Sequence, residues 1–166
     1  AKDSETETAR LRQVIETAKL QLQNLYEDVK ARSGRNQAAI FLAHQEFLDD
    51  SELMDAAIAE VNNHHSAAWA WQQSYEQRAQ LLEKLSDPLL AGRAVDLRDV
   101  GMRVLRLLAD DVEDTPHLPN HRAILIAEDL TPSDTANLDP SMIAGFCTAY
   151  GGPTSHSAII ARSLDI

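Results

Sequence analysis

The chain has 166 residues, 44% apolar and 25% charged, enough for one domain or two small ones with a real core. Fifteen Lys and Arg against 26 Asp and Glu leave a formal charge of -11, which argues against a nucleic-acid partner because phosphate binding needs a basic face. No stretch reaches the ~18 apolar residues of a membrane span, no signal-peptide pattern opens the chain, and the lone Cys147 excludes an internal disulfide, which fits a reducing cytoplasm.

The first two-thirds reads as helix. Ser4 and Glu7 have capping-box spacing. Leu11, Ile15, Ala18, Leu22, Leu25 and Val29 then alternate in steps of four and three, an amphipathic stripe that predicts one long helix stopped at Gly34. Arg12–Glu16 and Asp28–Arg32 are opposite-charge pairs one turn apart. A second helix is expected over about 37–48, with Ile40, His44, Phe47 and Leu48 on one side. Asp49, Asp50 and Ser51 can cap a third holding Leu53, Ala57, Ile58 and Val61. A fourth carries Ala68, Trp71, Tyr75, Leu82 and Leu85, and Asp87-Pro88 breaks it. Leu90, Ala94, Leu97, Gly101, Val104 and Leu108 mark a fifth. Antiparallel helices with short links imply a bundle or long helical hairpin. Trp69 and Trp71 cannot both face one core, so one of them is expected to be partly exposed. His64-His65 reads as a solvated turn, since no cysteine or carboxylate stands at ligand spacing.

An acidic linker rich in Asp110, Asp111, Glu113, Asp114, Pro116 and Pro119 follows. The period then changes. Ala123 to Ala127 is a continuous apolar run, as in a strand buried on both faces. Thr131-Pro132-Ser133-Asp134 is a helix start, and Met142 to Cys147 reads as a second strand with Cys147 a buried structural thiol. The division is a helical bundle over 1–110, a linker over 111–122 and an α/β segment over 123–166.

Gly151-Gly152-Pro153-Thr154-Ser155-His156-Ser157 precedes an apolar helical pattern through Ala158, Ile159, Ile160 and Leu164. Two glycines allow a tight turn, and His156 is placed at a helix N-terminus, where unpaired amides and the helix dipole favour an anion. A ring nitrogen held there can accept a phosphoryl group. The same residues also fit a plain N-cap with a chance histidine.

The surroundings separate these readings. Gly151 to Arg162 resembles the phosphohistidine motif of the phosphoenolpyruvate-utilising enzymes, Gly-Gly-x-Thr-Ser-His-x-x-Ile-x-Ala-Arg. Asp129-Leu130-Thr131-Pro132-Ser133-Asp134-Thr135-Ala136, the arginine-rich run from Arg93 to Arg103, and Ala39-Ile40-Phe41 with His44 resemble segments of enzyme I of the bacterial phosphoenolpyruvate:sugar phosphotransferase system, in the same order. Pro153, where arginine is common, points to a paralogue such as the enzyme I module of a multiphosphoryl transfer protein.

The resemblance implies an α+β, two-part fold: a helical hairpin bundle that docks the phosphocarrier HPr, or a fused HPr-like domain, and a truncated α/β phosphohistidine (swivelling) subdomain. It implies that His156 takes phosphate from phosphoenolpyruvate on its far ring nitrogen and passes it to HPr, and that Thr135 orients the ring. Gly151, Gly152, Thr154, Ser155 and Arg162 are the phosphate-binding candidates. Thr154 and Ser155 can equally cap the helix, and Arg162 can equally be a solvated or salt-bridged surface residue. Phe47, Glu52, Leu53, Leu90 and Arg93 fall on the implied docking surface, although Phe47 and Leu53 suit a bundle core as well. Arg35, Asn36 and Glu46 depart from the family pattern there.

Ala1 in place of a methionine reads as an excised piece. The resemblance puts the phosphoenolpyruvate-binding barrel, its Mg²⁺ and the homodimer contact in a missing domain, so this chain is expected to need no cofactor and to be unable to phosphorylate itself from phosphoenolpyruvate. Two other readings compete: an adaptor domain with a vestigial histidine, and the swivel domain of a pyruvate phosphate dikinase or phosphoenolpyruvate synthase relative.

Overall fold

The computed structural model of the chain describes residues 3–109, 121–153 and 155–166. They fall into two compact units, one drawn from 1–22 and 43–112 and the other from 23–42 and 113–166. The acidic linker expected over 111–122, with His117, lies outside the described residues up to 120. Seven helices and two strands follow in order among the described residues: α1 (Ser4–Ser33), α2 (Arg35–Leu48), α3 (Ser51–Asn62), α4 (Ala67–Glu83), α5 (Pro88–Leu108), β1 (Ala123–Ala127), α6 (Pro132–Ala136), β2 (Ile143–Thr148) and α7 (His156–Ser163).

Every member of the α1 stripe, from Leu11 to Val29, is buried. The helix ends where Gly34 takes φ +92°, a left-handed conformation that glycine adopts without a Cβ penalty. Its start differs from the expected capping box. Ser4 lies inside the helix and its hydroxyl donates to the Val61 carbonyl. The buried Glu7 carboxylate accepts the Ala67 amide at 2.7 Å, so it serves the first turn of α4. That bond has a physical cause: a desolvated helix start leaves amides that need an acceptor. Arg32 gives its donors to the carbonyls of Asp28 and Ala136.

In the first unit, Asp50 caps α3, Ser66 caps α4 and Asp87 caps α5 with Pro88 beginning the helix. Leu85 falls beyond the end of α4. Trp71 is buried and donates its indole N–H to the Gly101 carbonyl at 2.9 Å, whereas Trp69 is half exposed and stacks on His65, the rings 3.8 Å apart. His64-His65 forms a turn, with His64 at φ +69°. His44 is fully buried, its Nε2 3.7 Å from Asp96 and its Nδ1 3.8 Å from Asp99.

In the second unit, β1 and β2 pair in parallel, Ala123 with Ile143 through Ala127 with Thr148, with an irregularity between Ala123 and Ile124. A parallel pair needs a crossover, which here contains α6. The expectation that β1 is buried on both faces is overturned: Ile124 is 66% and Ile126 80% exposed, alternating with half-buried neighbours. Among the described residues only one face of the pair is partly covered, and a strand's side chains alternate between faces. Cys147 lies on the open side too and is exposed, not the buried thiol its apolar context suggested.

Candidate functional site

The site is built where β2 runs into α7. Beyond the strand, the amides of Ala149 and Tyr150 donate to the Glu128 carbonyl at 3.1 and 2.9 Å, which ties the exit of β2 to the exit of β1. The chain then reverses at Gly151, whose φ of +92° would strain any L side chain. A Cβ on Gly152 would meet nothing within 4 Å, so a ligand could approach that backbone closely. The Ser155 amide donates to the Gly152 carbonyl at 3.0 Å, and the Ser155 hydroxyl oxygen accepts the Ala158 amide at 3.2 Å, which caps α7. The cap leaves the hydroxyl proton available to a second acceptor. Thr154 lies outside the described residues. His156 is the first residue of α7 and is exposed.

Thr135 lies on α6 and is fully buried. Thr131 and Asp134 form a reciprocal capping box at the start of that helix. The Thr135 hydroxyl donates to the Thr131 carbonyl at 2.9 Å. Its proton is therefore committed, and its oxygen can only accept from another donor. α6 and α7 pack together. The buried Ser157 hydroxyl, next to His156, donates to the Leu130 carbonyl just before the α6 cap. The sequence signal for this contact was faint, a hydroxyl on the inward side of a helix start. Arg162 is exposed in the last turn of α7, where a cation complements the helix dipole. Six residues of helix turn it about 120° around the axis from His156.

The residues expected on a docking surface lie on α2, α3 and α5 of the first unit. Glu46, Phe47, Asp50, Arg78, Leu82, Leu90 and Arg93 line an open groove of about 340 Å³. The Arg93 guanidinium lies 5.0 Å over the Phe47 ring, and its Nη2 is 3.6 Å from Glu46. Arg78 pairs with Asp50 at 3.3 Å and Glu52 at 3.1 Å. Leu90 is partly exposed, Phe47 half-buried and Glu52 exposed. Leu53 is only 4% exposed and belongs to the core, contributing from beneath a smaller groove beside Glu52 and Arg78. Among the described residues, no three His, Cys, Asp or Glu side chains are grouped to hold a metal ion, and no helix is long and apolar enough to cross a membrane.

Two family matches cover most of the chain: PEP-utilising enzyme, N-terminal, over residues 1–93, and PEP-utilising enzyme, mobile domain, over residues 119–166. A multiphosphoryl transfer protein of Rhodobacter capsulatus is 49% identical over 152 residues, covering 92% of this chain and 18% of that protein. A phosphoenolpyruvate-protein phosphotransferase of Staphylococcus epidermidis is 39% identical over 166 residues, covering 99% of this chain and 29% of its own length. The chain thus spans less than a third of these curated relatives. An NMR solution structure of Enzyme I (nEIt) superposes with a TM-score of 0.75 at 37% identity, covering 98% of this chain and 66% of that one, so the helical bundle with a small α/β unit is a fold they share.

Proposed function

The chain belongs to the phosphoenolpyruvate-utilising enzyme family, and from that premise we propose that His156 is its phosphoryl carrier, loaded from phosphoenolpyruvate in the whole protein and discharged to the histidine of the phosphocarrier HPr or an HPr-like domain. The observation that carries the reading is the placement of His156: an exposed imidazole as the first residue of α7, behind a glycine turn with room for a ligand at Gly152.

Transfer of this kind needs positioning and charge stabilisation. The first-turn amides of α7 and the positive end of its dipole face the phosphate oxygens, and the Ser155 hydroxyl donates to one of them while still capping the helix. Thr135 has given its own proton to Thr131, so a ring nitrogen that meets its oxygen must bear a proton. With Nδ1 protonated in this way, Nε2 holds the lone pair that attacks phosphorus. The Nε2–P bond forms as the bond from phosphorus to the donor breaks, and the donor leaves with the electron pair. When the donor is a phosphohistidine, its imidazole nitrogen recovers that pair. When it is phosphoenolpyruvate, the enol oxygen recovers it and the enolate takes up a proton from water. The Nδ1 proton stays in place throughout. Discharge to HPr is the same step in reverse.

The groove around Phe47 and Arg93 is the docking surface in this reading. Its apolar floor of Phe47, Leu82 and Leu90 is rimmed by the charge pairs Glu46–Arg93 and Asp50–Arg78, the apolar centre and polar rim of a docking patch. The test is transfer of radiolabel from phospho-HPr. The chain takes up label, and His156→Ala takes up none. A folded chain that remains unlabelled while phospho-HPr is in excess would refute the reading.

A further inference from the structure

We infer that Ser157 is a positioning residue: its buried hydroxyl, donating to the Leu130 carbonyl, sets α7 against α6 and so holds the His156 ring in the orientation and tautomer that transfer uses. The inference rests on the reading of His156 as the phosphoryl acceptor and extends it to a residue with no contact to phosphate.

Ser157 follows His156 directly, at the second position of α7. Helix geometry turns successive residues by about 100°, so when His156 faces solvent Ser157 turns inward, and it is buried. At this position the backbone amide is one of the orphan donors of the helix start, and the cap from Ser155 serves Ala158 instead. The Ser157 hydroxyl is thus not needed to complete its own helix. It leaves the helix and bonds the carbonyl of Leu130, a residue that is itself buried.

Leu130 stands immediately before Thr131, which caps α6, exchanges hydrogen bonds with Asp134 and accepts the Thr135 hydroxyl on its carbonyl. An unbroken chain of bonds and adjacent residues therefore leads from His156 through Ser157, Leu130 and Thr131 to Thr135. The ends of both helices are fixed as well. Arg32 Nη2 donates to the Ala136 carbonyl at the C-terminus of α6, and the Ser33 and Ser163 hydroxyls meet at 2.5 Å beside the C-terminus of α7. With those ends held, the Ser157 bond ties the first turn of α7, where the ring is carried, to the segment that opens α6.

Ser157→Ala removes the bond, and Ser157→Thr keeps a hydroxyl at the same place. With ¹⁵N-labelled histidine, long-range proton–nitrogen spectra read the His156 tautomer directly, its signals identified by their loss in His156→Gln. We expect one dominant tautomer in the wild-type chain, a mixture in Ser157→Ala, and restoration in Ser157→Thr. Label transfer from phospho-HPr should fall about tenfold in kcat with KM little changed in Ser157→Ala, since misplacement of a reacting group is costly in rate, and should recover in Ser157→Thr. A purely structural serine would lower thermal stability and leave the tautomer ratio and kcat at wild-type values, and that result overturns the inference. Should Ser157→Ala fail to fold, Ser157→Thr decides: a folded threonine variant with the wild-type tautomer supports the inference, and one with a scrambled tautomer overturns it. If the wild-type chain accepts no label but its tautomer still depends on Ser157, the proposed function fails while the positioning role stands.

Discussion

Gly101 shows how much one missing methyl group can decide. An ideal Cβ at that position would lie 2.5 Å from Cγ of the Tyr75 ring, and the same residue's carbonyl accepts the Trp71 indole N–H. The ring is part of the core and cannot withdraw as the end of a flexible chain could. Gly101→Ala should therefore force α4 and α5 apart and cost about 1–3 kcal/mol by overpacking, read as a lower urea midpoint. Retention of the wild-type midpoint would show that the helices can separate freely. In the sequence, Gly101 stood out only as a member of the apolar stripe. The partner ring could not be foreseen, because periodicity says which face of a helix is inside and not what it meets there. The same limit hid the exchange at Glu7: its spacing from Ser4 was visible, but its use by Ala67, sixty residues away, was not. The place of His156 at a helix start, by contrast, was legible, because Gly151 and Ser155 act on their immediate neighbours.

Among the elements, α4 and α5 are joined by the clearest electrostatic clamp. Arg98 reaches from α5 to Glu76 with Nε at 3.0 Å and Nη2 at 2.8 Å, and to Glu83 with Nη1 at 2.5 Å. Its hydrogen bonds hold both carboxyls below their ordinary value of 4.5, and the two carboxylates raise the guanidinium in turn. A depressed carboxyl stabilises the fold above its unfolded pKa and loses that contribution as pH falls through its folded one. The clamp should thus be fully present at pH 6 and fade below about pH 4.5. Because these groups are exposed to solvent, the gain at neutral pH is small. Arg98→Met should lower the urea midpoint at pH 6, with the gap from wild type closing towards pH 3; a gap independent of pH would remove the clamp from the account. The helices themselves were readable, since their caps at Asp50, Thr131 and Asp87-Pro88 are local signals. The strand at 123–127 was found, but its environment was misread. Five apolar residues in a row permit burial on both faces without supplying the second layer that would cover Ile124 and Ile126.

For the molecule as a whole, the formal charge is -11, although the groove beside Phe47 is itself balanced, Glu46 and Asp50 against Arg93 and Arg78. Association with a basic carrier protein should then weaken as salt rises, chiefly through a slower on-rate. Arg93→Ala removes the cation from the Phe47 face and should raise KM for phospho-HPr about tenfold with little change in kcat, the pattern of a contact used in docking alone. An unchanged KM would move docking to another face. The order of helical and α/β parts could be read from the change of period after residue 122. The grouping of 23–42 with the C-terminal residues could not, because a continuous amphipathic helix carries no mark where its neighbours change. The central claim is that one exposed ring nitrogen carries the phosphate. Treating the chain with phospho-HPr and mapping the product by ³¹P NMR and mass spectrometry tests it most directly. The account predicts a single acid-labile, alkali-stable phosphate on Nε2 of His156. A phosphate on any other residue, or a stable one on a hydroxyl of Thr135 or Ser155, would contradict it.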